Sequence, residues 1–186
     1  MTNESTNLSH RDSAMKDGTI LGCMWILTFT FSTIMMRHII STPALGTFSM
    51  FAVAGLTFAS PILVYTSAKK HWSLAPKEEI SFSGIWLYIA TMYMCAILLS
   101  AVAQFVYYEY CDPYLFYDFM TDFSSIRIEG DTNGEMSKAI IEQFRIMNDM
   151  SASDIVFSVV GGHMTRDILM TTVMAFIISR NLKNRI

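Results

Sequence analysis

Three uncharged apolar runs limit what this chain can fold into. They are Gly18 to Met36 (GTILGCMWILTFTFSTIMM), Ala44 to Thr66 (ALGTFSMFAVAGLTFASPILVYT) and Phe82 to Tyr108 (FSGIWLYIATMYMCAILLSAVAQFVYY). A helix needs roughly 20 apolar residues to cross about 30 Å of hydrocarbon. Each run meets that length. Backbone amides find no partner in lipid, so each is expected to be helical. The third run must tilt or project beyond the lipid. Pro61 permits a kink in the second.

A fourth run is shorter. Ile168 to Ser179 holds no charge, but Arg166 and Asp167 precede it and Arg180 follows. Extended to 163–182 it reaches spanning length, with arginines that can snorkel from near either end. We therefore expect an all-α polytopic membrane protein with four spans at about 18–36, 44–66, 82–108 and 163–182. The Arg166–Asp167 pair is expected at the membrane interface. Residues 1–17 form a polar N-terminal tail, and 18–186 form one membrane domain. Arg11 and Lys16 resemble a signal peptide's basic start, but the run behind them is too long and no A-x-A site follows, so a retained anchor is expected.

Charge bias orients the chain. Arg11, Lys16, Lys69, Lys70, Lys77, Arg180, Lys183 and Arg185 fall on one face of a four-span layout. Arg37, Arg127, Lys138, Arg145 and Arg166 fall on the other, three of them in a long loop where the rule weakens. The positive-inside rule puts both termini in the cytoplasm. Tyr107, Tyr108, Tyr110 and Tyr114 mark the outer interface.

The segment of about 109–153 is then extracytoplasmic. It is too long to lack structure. Asp112 and Pro113 suit a helix start. Leu115, Phe116, Phe119, Met120, Phe123 and Ile126 share one helical face, opposite Asp118 and Asp122, so an amphipathic helix at headgroup level is expected. Thr132 with Glu135, and Ser151 with Asp154, suit capping boxes of two further helices. Gly161 and Gly162 suit a hinge or close packing.

"EEISFSGIW" (78–86) and "YYEYCDPYLF" (107–116), with the four-span layout, resemble the bacterial domain-of-unknown-function family numbered 4199. The resemblance implies a small inner-membrane protein and supplies no activity or catalytic residue. The chain departs from that pattern at Arg166–Asp167.

One constellation carries chemistry. Arg37 and His38 end the first span, Glu109 and Asp112 end the third, and His163, Arg166 and Asp167 open the fourth. Converged at the outer rim, two histidines and the carboxylates could bind a divalent metal or do acid–base work. The simpler reading is an interfacial network that neutralises charge and fixes helix order. No HExxH spacing, phosphate loop or nucleophile elbow occurs. No catalytic residue, metal or cofactor is therefore expected. His10 and His71 stand alone in polar segments. Gln104, the most polar side chain in the first three runs, suits an interhelical hydrogen bond. Gly18 with Gly22 forms a GxxxG that fits packing within one bundle or dimerisation equally.

The three cysteines form no CxxC pair, and the 15 methionines are spread through apolar runs as core filler. Charged residues make up only 16% of the chain and the net charge is −3, which speaks against nucleic acid as a partner. The expected role is that of a structural or accessory membrane protein. Its partners would be the bilayer and a membrane protein or a second copy. A membrane-embedded metal-binding protein or hydrolase using the rim cluster is the alternative, and an oligomeric small-molecule transporter a third reading. A polar cavity at mid-depth would favour transport.

Overall fold

The computed structural model describes residues 2–76, 79–124 and 135–184. All regular structure among them is helical: α1 (Thr2–His38), α2 (Pro43–Ser73), α3 (Phe82–Val106), a π-helical turn (Tyr107–Cys111), α4 (Leu115–Ser124), α5 (Glu135–Asn148) and α6 (Ala152–Lys183). Three helices are long and apolar enough to cross a membrane: His10–His38, Pro43–Ser73 and Phe82–Cys111. The polar stretch ahead of Gly18 is helix continuous with α1. Its backbone bonds are satisfied internally, and Asp17 accepts a hydrogen bond from Tyr88 Oη at 2.8 Å.

α3 is the central helix. It packs against α1 and α6, and α2 closes the bundle against α1. Ile85, Ile89, Met92, Ala96 and Ile97 of α3 are buried, in contact with Leu21, Val64, Ala175 and Ile178 within one apolar core. Ser81 caps α3 by accepting from the Gly84 amide at 3.1 Å. α2 continues through Pro61, which deprives the Thr57 carbonyl of its intrahelical donor.

Ser151 and Asp154 make the expected capping box. α6 then runs unbroken through Gly161 and Gly162, so these glycines are not a hinge in this structure. Asp167, Thr171, Met174, Ala175, Ile178 and Leu182 are its buried stripe, spaced by three or four residues as one helical face requires. Trp86 Nε1 donates to Thr172 Oγ1 at 3.2 Å, and Tyr93, further along α3, lies near the earlier Asp167 of α6, so the two helices run antiparallel.

α4 and α5 pack on each other, and α4 touches α1. Leu115 and Phe116 are buried within the protein, and Phe116 stacks on Tyr108 with centroids 5.4 Å apart. The Thr132–Glu135 box, Ile126, Lys77, Arg127 and Arg185 lie outside the described residues, as do the side chains of Met120 and Phe123.

Candidate functional site

The seven residues expected at one rim divide into two groups. The first closes the end of the bundle where α1 and α3 stop. Arg37 pairs with Asp112, its Nε donating to Oδ2 at 2.7 Å, and Tyr107 Oη donates to the same oxygen at 2.9 Å. The π turn brings Tyr107 and Asp112 to one side, since the Asp112 amide bonds back to the Tyr107 carbonyl. Asp112 is buried, and its carboxylate is spent on Arg37 and Tyr107 rather than on capping α4. His38 lies near, but its ring contacts Ser41 at 3.5 Å. Glu109 is exposed on the π turn.

The second group lies deeper. His163, Arg166 and Asp167 share one side of α6 beside Trp25 and Tyr93. The His163 ring sits 4.5 Å from the Trp25 ring, and the Arg166 guanidinium 5.8 Å from it. Trp25 and Tyr93 are about 10 and 16 Å along their apolar runs at 1.5 Å per residue. Within the bundle the pair thus lies beside the middle of α1 and α3 rather than at their ends. The register of α6 on α3 carries the pair into the body of the bundle, because the Trp86–Thr172 bond and the apolar stripe lock residues 171–182 against the opposite end.

Arg166 Nε donates to Asp167 Oδ1 at 2.8 Å, and its Nη2 lies 2.7 Å from His163 Nδ1. An arginine has no acceptor, so His163 accepts there through an unprotonated Nδ1. Asp167 is only 3% exposed. Its Oδ2 is buried with no hydrogen-bond partner, and His163 Nδ1 stays 3.7 Å away. The group borders a cavity of about 440 Å³ between α1, α2, α3 and α6. Thr28, Ser32, Ser60, Ser100 and Gln104 supply its polar wall, and Trp25, Phe29, Phe58 and Tyr108 its aromatic one. Trp25 Nε1 donates to Ser60 Oγ at 2.9 Å. Gln104 bonds Ser100 on its own helix, at 2.9 Å, rather than a neighbouring helix.

His38, Glu109 and His163 share no hydrogen bond. No group of three or more His, Cys, Asp or Glu able to hold a metal occurs among the described residues.

The sequence reading missed a contact at the opposite end. His10 Nδ1 lies 2.6 Å from His71 Nε2. His10 also stacks on Trp72 and His71 on Tyr88, with centroids 4.8 and 4.5 Å apart. The residues are 61 apart in sequence, and only extension of α1 ahead of Gly18 brings them together. One ring must accept, so the contact needs one neutral histidine. Protonation that leaves neither ring able to accept would break the contact, so acidification should loosen residues 2–17 from α2. Faster hydrogen exchange of those amides at pH 5 than at pH 8, after correction for intrinsic rates, is the expected result; His10→Ala should show the faster exchange at both.

Residues 16–180 match the family model described as "Protein of unknown function (DUF4199)". That covers most of the chain, which therefore belongs to this family. No curated protein and no solved structure matches it.

Proposed function

We propose that this DUF4199 chain is a four-span protein of the bacterial cytoplasmic membrane, with both termini in the cytoplasm. It performs no enzymatic step of its own and serves as an accessory or partner-binding subunit. One observation carries the reading: α6 lies antiparallel along α3 and buries its stripe there. α3 is apolar enough to span. A helix packed along a spanning helix shares its environment, so α6 crosses too. Its 32 residues, about 48 Å at 1.5 Å each, suffice.

The place of Arg166 within the bundle supports the charge bias. Arg11, Lys16, Lys69, Lys70, Arg180 and Lys183 gather at the His10–His71 end, and Arg166 no longer counts at the other. α4 and α5 then lie on the outer face, with Tyr110, Tyr114 and Tyr117 exposed at headgroup level. The apolar side chains exposed around the bundle, such as Phe51, Ile62 and Leu87, face lipid or a partner.

A reporter active only in the cytoplasm, fused after Ile186, tests this. Signal from it, and none from a reporter active only outside, is expected. The reverse would leave three spans and remove α6 from the bundle.

A further inference from the structure

The strongest unexplained feature is a charged group set inside a membrane bundle and facing a cavity. Ionisable side chains at such depth are costly and mark ligand or ion paths. We propose that the cavity between α1, α2, α3 and α6 binds one small zwitterion with an apolar or aromatic body, a molecule of the α-amino-acid class. The inference rests on α6 crossing the membrane.

The charge arrangement selects the class. Arg166 has five N–H donors; its bonds to Asp167 and His163 use two, leaving roughly three. Its side chain is 54% exposed, so these remain reachable. Asp167 has one oxygen without a donor. A lone cation drawn to Asp167 meets Arg166, and a lone anion drawn to Arg166 meets Asp167. A molecule carrying both charges presents its carboxylate to Arg166 and its ammonium to Asp167. The ammonium reaches Oδ2 by displacing the His163 ring, now 3.7 Å from it.

The remaining walls suit the body of such a molecule. About 440 Å³ is within the range of small-molecule sites, which are mostly apolar with a few placed polar groups. Phe29, Phe58 and Tyr108 supply aromatic surface to the same cavity. Ser60 already accepts from Trp25, and its own proton is free to donate to a carboxylate.

The test uses the full chain in nanodiscs and calorimetric titration with L-phenylalanine. Phenethylamine carries the same ring with the ammonium alone, and 3-phenylpropionate with the carboxylate alone. Saturable binding of phenylalanine is expected, with each analogue at least tenfold weaker. Asp167→Asn should abolish the preference over 3-phenylpropionate. Because that variant can misfold, Thr57→Phe is the second probe. Thr57 is exposed yet lines the cavity, so the added ring fills the site without entering the core. It should weaken phenylalanine at least tenfold. No binding of phenylalanine, equal binding of either analogue, or full affinity in Thr57→Phe overturns the proposal. A C-terminus reporting cytoplasmic beside a failed titration overturns this inference alone; an outside report overturns the four-span reading with it.

Discussion

Arg166→Leu should destabilise the bundle by about 3–5 kcal/mol, and Arg166→Leu combined with Asp167→Leu should recover most of that loss. Arg166 holds Asp167 through the 2.8 Å bond to Oδ1, and the carboxylate's other oxygen has no donor. Without Arg166, a charge only 3% exposed loses its counter-ion in a low-dielectric site. Removing one partner of such a pair costs far more than removing both.

The single replacements should also be unequal. Asp167→Leu leaves Arg166, whose long side chain is about half exposed and stacks over Trp25, able to turn toward water or headgroups. Its cost should be smaller, about 1–2 kcal/mol, since leucine branches where aspartate does and fills similar space. Reversible unfolding in mixed micelles, followed by helix content, would measure all three. A loss below about 1 kcal/mol in Arg166→Leu would mean that water reaches Asp167, contrary to its burial.

The spans were legible for a simple reason. An uncharged run long enough to cross can satisfy its backbone only as helix, so α1, α2 and α3 follow from composition and length. The Ser151–Asp154 cap was legible because capping is local chemistry. The depth of His163, Arg166 and Asp167 was not. Hydropathy places a charge at the end of a run, whereas its true level depends on how α6 slides along α3. That register is set by Trp86 meeting Thr172 and by the stripe from Asp167 to Leu182, contacts between residues far apart in sequence. His10 and His71 were invisible for the same reason. Arg37 and Asp112 were seen to belong together because both sit at ends of spans that the length rule had already located. The seven residues shared one expected rim only because each had been assigned to the end of a span.

Gly18→Leu should part α1 from α3 and lower stability by about 3 kcal/mol or more, as overpacking against backbone does. Even a Cβ at Gly18 would meet the Met92 carbonyl oxygen at 2.7 Å and Cys95 Cβ at 2.8 Å. The carbonyl belongs to the helix itself and cannot swing away. Gly22 is approached less closely, by Leu99 Cδ1 at 3.0 Å, Leu99 Cβ at 3.1 Å and Ala96 Cα at 3.2 Å, so Gly22→Ala should cost less than Gly18→Ala. Gly55, Gly161 and Gly162 have nothing within 4 Å of an added Cβ. Alanine there should be neutral, or stabilising by up to about 1 kcal/mol through helix propensity. The graded series decides between the two uses of the Gly18–Gly22 motif. The structure spends both glycines on α3 of the same chain, which leaves none of their close approach for a second copy. Stability measured against protein concentration should then fall in Gly18→Leu by the same amount at every dilution. A loss that disappears on dilution would instead assign the motif to self-association.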